Sequence, residues 1–243
     1  MAPLLEVDRL SKRYGAIVAA DEITFSLEAK TCLGVIGPNG AGKSSLFGLI
    51  AGTVTPDRGA VRLGGRDVTR LPAHARTRLG IARAFQIPQP FAQLSVYENV
   101  LAAASFSDAP AGRETADWAA DVMARTGLLS KWSIAAGRLP LLDRKRLELA
   151  KAMASRAKLL LLDEIAGGLT DREVGQISEL IITLKGGHAI IWTEHIPHAL
   201  RAVADRIPVL NFGKKVLEES PADVMASRVM REIYMGIADD EVA

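Results

Sequence analysis

One stretch constrains this chain more than any other: Gly37-Pro38-Asn39-Gly40-Ala41-Gly42-Lys43-Ser44, followed by Ser45. Glycine, four variable residues and then glycine–lysine–serine is the spacing of a phosphate-cradling loop, provided that a strand precedes it and a helix follows. Both flanks comply. Cys32-Leu33-Gly34-Val35-Ile36 is short and apolar, and Ser45-Leu46-Phe47-Gly48-Leu49-Ile50 suits a helix. Glycines let such a loop turn tightly with its N–H groups inward, which makes an anion-binding concavity. The helix that starts there adds the positive end of its dipole. Lys43 can reach the outer phosphates of a nucleotide, and the Ser44 hydroxyl can ligate Mg²⁺.

The surrounding pattern supplies the fold class. Residues 4–10, 23–27 and 61–63 read as strands. Ser95-Val96-Tyr97-Glu98 is a capping box that opens a helix. Residues from about 110 to 155 are rich in Ala and Arg with little β-branching, which predicts helix. Leu159-Leu160-Leu161-Leu162, closed by Asp163-Glu164, and Ala189-Ile190-Ile191-Trp192-Thr193 read as strands buried on both faces. Thr170-Asp171-Arg172-Glu173 caps a helix running to about Leu184, and Ser220-Pro221-Ala222-Asp223 starts another. Alternating strands and helices around the phosphate loop predict a mostly parallel α/β sheet with an inserted helical subdomain. The expected division is a core of residues 1–86 and 156–243, with 87–155 as the helical insertion.

An apolar strand ending in Asp163 is the natural partner of a phosphate loop, because its carboxylate can hold Mg²⁺ directly or through water. Glu164, next in line, is placed to polarise an attacking water as a general base.

Composition excludes several alternatives. With 49% hydrophobic and 24% charged residues, the chain can build a sizeable core. A net charge of +2 is too balanced to argue for nucleic acid, which usually needs a clustered basic face. The single cysteine, Cys32, cannot form an internal disulfide and reads as a small buried side chain in a reducing compartment. The N-terminal residues lack the pattern of a secretion signal, and no apolar run reaches the ~18–20 residues that a membrane span needs.

Taken together, these motifs resemble those of the ATP-binding cassette (ABC) ATPases, over essentially the whole chain. The resemblance implies a P-loop NTPase core, an N-terminal antiparallel β subdomain, ATP and Mg²⁺ as ligands, and hydrolysis of ATP. It implies that Tyr14, in Ser11-Lys12-Arg13-Tyr14-Gly15, stacks on adenine. Gln86, in Ala82-Arg83-Ala84-Phe85-Gln86, matches the glutamine that touches Mg²⁺ and water and couples to the membrane partner. His195, in Trp192-Thr193-Glu194-His195, matches the histidine that contacts the γ-phosphate. More narrowly, Ala82–Gln86, Leu94–Val100, Phe212–Leu217, Ser220–Val224 and Tyr234-Met235-Gly236 are similar to the ATPase subunits of branched-chain amino acid importers, with urea and amide importers sharing much of this. That subgroup implies a peripheral subunit on the cytoplasmic face, two integral permeases, a second ATPase subunit and an extracytoplasmic solute-binding protein.

The resemblance breaks most severely at one place. The family's Leu-Ser-Gly-Gly-Gln signature falls here on Leu139-Pro140-Leu141-Leu142-Asp143. Pro140 has neither hydroxyl nor N–H, and Leu141 and Leu142 block the close approach that glycine permits. Asp143 is expected to bring negative charge toward a phosphate held by a partner. Ile165 also replaces the usual proline, and Thr170 the usual aspartate. An intact ATP-holding half beside a degraded closing half predicts an asymmetric heterodimer. The alternative is a non-transport or regulatory nucleotide-binding protein with little hydrolysis of its own.

Overall fold

The structure is a computed structural model that describes residues 2–106 and 112–235. In chain order the elements are β1 (Leu5–Tyr14), β2 (Ile17–Leu27), β3 (Cys32–Val35), α1 (Lys43–Ala51), β4 (Arg58–Leu63), β5 (Arg66–Asp67), α2 (Ala73–Leu79) and β6 (Ile81–Ala84). Then follow α3 (Val96–Ser105), α4 (Arg113–Arg125), α5 (Leu141–Ala154), β7 (Leu159–Asp163), α6 (Asp171–Lys185) and β8 (Ala189–Thr193). The chain continues through α7 (Pro197–Val203), β9 (Ile207–Asn211), β10 (Lys214–Glu219), α8 (Pro221–Ala226) and α9 (Arg228–Met235). Gly236, part of a C-terminal motif noted in the sequence, lies outside the described residues.

Four strands form a parallel sheet in the order β3-β8-β7-β6, and single bridges from Leu33 to Arg206 and from Ile36 to Val209 attach β9 beside β3. A second, antiparallel sheet has the order β2-β1-β4-β5. The fold is thus α/β, with an N-terminal antiparallel sheet and a helical insertion, α3 to α5, between two strands of the parallel one.

The unbroken apolar run in β7 follows from where its two faces point. Leu159 and Leu161 pack with β1, β2 and α1, while Leu160 and Leu162 pack with α5, α6 and α7. A strand covered on both sides has no position for a polar residue. Each fully buried leucine contributes about 2 kcal/mol relative to exposure. Cys32 lies in the same layer; burial pushes its thiol up to about 12, so it acts as an apolar filler.

The expected helix from 110 to 155 is interrupted. Gly127 takes φ +72°, its N–H bonds to Ala124 O, and Leu128 N–H bonds to Met123 O. This pair of bonds closes α4, because only glycine adopts that left-handed turn without strain. Two single turns of tighter helix, Leu129–Lys131 and Ala136–Arg138, lead to Pro140, and α5 starts after it. The predicted capping boxes at Ser95 and Thr170 are both formed. Thr170, which stands where the family has an aspartate, thereby has a local use as the cap of α6. Among the described residues, no helix is long and apolar enough to cross a membrane.

Candidate nucleotide site

The phosphate loop leaves the end of β3, which lies between β8 and the bridged β9, and enters α1. Two glycines are obligatory there. A Cβ on Gly37 would sit 2.4 Å from Leu210 O, and one on Gly42 2.3 Å from Ala19 O, with Gly42 at φ +105°. The loop is therefore wedged between β9 and β2, with room for backbone alone. Gly42 occupies the N-cap of α1 and offers no side-chain hydrogen bond, so the first N–H groups of the helix are left to an incoming anion. Lys43 is 6% exposed and folds back, donating to Gly37 O at 2.6 Å and Pro38 O at 3.1 Å. Burial lowers its pKa, opposed by the charges of Glu164 and Asp163.

At the other end of α1, Arg76 from α2 satisfies the last carbonyls. It donates to Leu49 O at 2.6 Å and Ile50 O at 2.8 Å, and also to Thr69 O and Leu71 O. The phosphate-loop helix is thus held at both ends.

A cavity of about 290 Å³ opens over the loop. Tyr14, Ile17 and Ala19 from the antiparallel sheet form one wall, the loop from Asn39 to Ser45 the floor, and Glu164 the far edge. Tyr14 is half exposed, with Lys12 Nζ 5.6 Å from its ring centre, so a flat face is available for stacking. The signature stretch does not line this cavity.

The carboxylates sit where β7 ends. Asp163 Oδ1 accepts from the Thr193 hydroxyl at 3.1 Å, and Oδ2 pairs with the Arg83 guanidinium. Glu164 follows with φ +44°, a left-handed conformation uncommon for a residue with a side chain. Its main-chain N–H bonds to Thr193 O at 2.9 Å, which pins this turn to β8. Its carboxylate is then gripped from two sides: Gln86 Nε2 donates to Oε2 at 2.6 Å, and His195 Nε2 lies 2.7 Å from Oε1. Three polar residues distant in sequence thus converge at the edge of the cavity. A carboxylate so placed can take a proton from a water attacking a phosphate.

Fit for a divalent cation rests on the donor set. The Ser44 hydroxyl, which lines the cavity, the Asp163 carboxylate next to Glu164 and the Gln86 amide oxygen beside it are hard oxygen donors. Mg²⁺ asks for few protein ligands and takes waters and phosphate oxygens for the rest. Among the described residues no cluster of three or more His, Cys, Asp or Glu side chains forms a metal cage.

The signature stretch corrects one expectation. Leu139 is buried, Pro140 is the N-cap of α5, and Leu141, Leu142 and Asp143 are its first three residues. Asp143 does not present charge outward. It is 3% exposed, paired with the Lys131 ammonium, and 3.6 Å from Arg146. Its charge is spent inside the helical insertion, against the positive end of α5. Leu141 leans the other way, 3.3 Å from where a Cβ on Gly168 would be, so it packs on the turn that follows Glu164.

Sequence reasoning missed three charged residues near this site: Arg83, Lys145 and Glu194. Arg83 stood out as a lone charge inside an apolar stretch, whereas Lys145 is flanked by Arg144 and Arg146 and carried no such signal; in each case a partner lies far along the chain.

A glycine loop after a parallel strand, acids at the end of another strand of the same sheet and a stacking wall from a second sheet define a P-loop nucleotide-binding protein. The chain belongs to the ABC transporter family, whose profile matches residues 20–167. It is 31% identical to the high-affinity branched-chain amino acid transport ATP-binding protein BraF of Pseudomonas aeruginosa, over 97% of this chain and 99% of that one. It is 32% identical to the lipopolysaccharide export system ATP-binding protein LptB of Acidithiobacillus ferridurans, over 97% of this chain and 98% of that one. A crystal structure of the ADP conformation of an ATP-binding cassette superposes with a TM-score of 0.89 at 25% identity, covering 98% of this chain and all of the other. The chain is accordingly an ABC ATPase that binds nucleotide.

Proposed function

We propose that this chain is the ATP-hydrolysing subunit of an importer for branched-chain or related hydrophobic amino acids, docked at the cytoplasmic face of the membrane on two permease subunits. An extracytoplasmic binding protein delivers the solute. Support comes from similarity along nearly the whole chain to proteins named for that transport. Residues 1–86 and 156–243 serve as the nucleotide-binding core, and 87–155 as the helical part.

In the proposed cycle Tyr14 stacks on adenine, and the backbone of Gly37–Ser45 with Lys43 holds the phosphates. Mg²⁺, held by Ser44, Asp163 and Gln86, supplies charge neutralisation at the phosphates when bound. Glu164 takes the proton of the attacking water. Gln86 and His195 orient that carboxylate, and His195 has an exposed edge that can reach the γ-phosphate. The observation that carries the reading is the convergence of Gln86, Glu164 and His195 at the edge of the phosphate-loop cavity.

The degraded signature supports the asymmetric arrangement. A second ABC ATPase with an ordinary signature closes over the nucleotide held here, while Leu139–Asp143 closes poorly over the partner's. The same observation keeps one other reading open, a regulatory nucleotide-binding subunit. The test is steady-state hydrolysis by the purified chain alone, with Glu164→Gln as the blank. We expect no turnover above that blank with ATP binding retained, and a gain in the triple variant Pro140→Ser, Leu141→Gly, Leu142→Gly. Asp143 is left in place because Lys131 needs it. Robust wild-type hydrolysis, rising cooperatively with concentration, would refute the asymmetric arrangement. Co-purification with two permease chains separates transport from a regulatory role.

A further inference from the structure

Helix α5 carries Lys145, Glu148 and Lys151 at successive intervals of three residues, on one face. All three reach the segment after β6. Lys145 Nζ donates to the main-chain oxygen of Gln86. Glu148 Oε1 accepts from Gln89 N–H at 2.8 Å, and Lys151 Nζ bridges Gln89 O at 2.9 Å and Glu148 Oε1 at 2.7 Å. Lys145 and Glu148 are each 2% exposed. Burying an ammonium is costly unless other groups repay the lost hydration. Here the charges of four acidic groups oppose that cost through space: Glu194 at the end of β8, Glu148 from its own helix, Glu164 at the edge of the nucleotide cavity and Asp163 at the end of β7. Leu147 and Leu149 already supply the apolar contacts of α5, so packing alone gives no reason for a buried cation at this position.

We propose that Lys145 is a positioning residue for ATP hydrolysis: by holding the Gln86 carbonyl it fixes the direction in which the Gln86 side chain meets Glu164. Gln86 Nε2 reaches Glu164 Oε2 at 2.6 Å only while its main chain stays in place. Lys145 lies two residues beyond the signature stretch, on the same rigid helix. A shift of that helix end against a partner ATPase therefore moves the Gln86 backbone, and through it the carboxylate of Glu164. The inference rests on the ATPase activity of the family and adds a residue to it.

The test uses the full chain in its assembled complex. Hydrolysis is measured for Lys145→Met, Gln86→Ala and the double variant, with Glu164→Gln as the blank. We expect kcat of Lys145→Met to fall about 10- to 100-fold, the effect of roughly 1 Å of misplacement. KM for ATP should stay within about twofold, since uniform binding is untouched. The double variant should be no slower than Gln86→Ala alone, because Lys145 acts through Gln86. Lys145→Arg should recover most of the loss by donating to the same carbonyl. Unchanged kcat in Lys145→Met, or losses that multiply in the double variant, would overturn the proposal. Should Lys145→Met not fold, the neutral Lys145→Gln enters the same cycle with the same expectations. Wild-type turnover no greater than the blank would instead count against the ATPase reading. Amide exchange then decides: faster exchange at Gln89 in Lys145→Met but not in Lys145→Arg supports the clamp, and equal exchange refutes it.

Discussion

Glu194 offers the sharpest quantitative test of how this site is built. Its side chain is 1% exposed. Oε1 accepts from Ala166 N–H at 2.7 Å and from the Trp192 indole at 3.1 Å, so it ties the end of β8 to the turn after Glu164. Burial pushes its pKa from the usual 4.5 up to about 7, with Glu164 adding to the rise and the hydrogen bonds, including one from His195 N–H, opposing it. A buried acid with a raised pKa is protonated more readily in the folded chain than in the unfolded one. Below about 4.5 both states carry the proton and no penalty exists; the penalty grows through the interval and is complete above about 7. At about 1.4 kcal/mol per pKa unit, ionised Glu194 costs the folded state about 3 kcal/mol at pH 8. Glu194→Gln keeps the acceptor for Ala166 and Trp192 and removes the charge. Its amide nitrogen loses the His195 bond, about 1 kcal/mol at any pH. Urea denaturation at pH 5 and pH 8 should therefore show the variant near or below wild type at pH 5 and about 2 kcal/mol more stable at pH 8. Other groups titrate alike in both proteins and cancel. A stability difference that does not change between the two pH values would refute the argument, as would a variant less stable than wild type at pH 8.

Two further predictions concern the phosphate loop. Gly42→Ala should lower stability by at least about 2 kcal/mol and abolish ATP binding, since it adds a left-handed strain to a backbone collision with Ala19 O. Gly64→Ala, at φ +55° with nothing within 4 Å, carries only the conformational part and serves as the control in calorimetry. Arg76→Met should lower the urea midpoint by an amount equivalent to about 3 kcal/mol or more, because the buried carbonyls of Leu49 and Ile50 at the end of α1 lose their donor. Arg76→Lys should recover less than half, since a single ammonium cannot span four carbonyls.

Much of the fold was legible in the sequence. The strand at β8 runs as expected, Ala189–Thr193, and β7 differs from its expected span only at the edges. Continuous apolar runs have one solution in a sheet covered on both faces. Capping boxes at Ser95 and Thr170 declare helix starts through contacts spanning three residues, so they need no knowledge of the fold. Residues 64–94 and the β9–β10 hairpin gave weaker signals. The strand β6 is four residues long and contains a charge, Arg83, which breaks the pattern that marks a buried strand. Its charge is explained only by Asp163, 80 positions away.

The division has a physical basis. The phosphate loop, the acids at the end of β7, the caps and the damaged signature are local: their chemistry lies in residues within a few positions of each other, and the amino-acid sequence by itself determined them. Pairings between charges brought from separate elements are not local. That Asp143 spends its charge on Lys131, that Arg83 holds Asp163, and that Lys145 and Glu194 stand behind Gln86 and Glu164 were decided only by the tertiary structure, because a charge finds its partner through space and burial, neither of which is ordered along the chain.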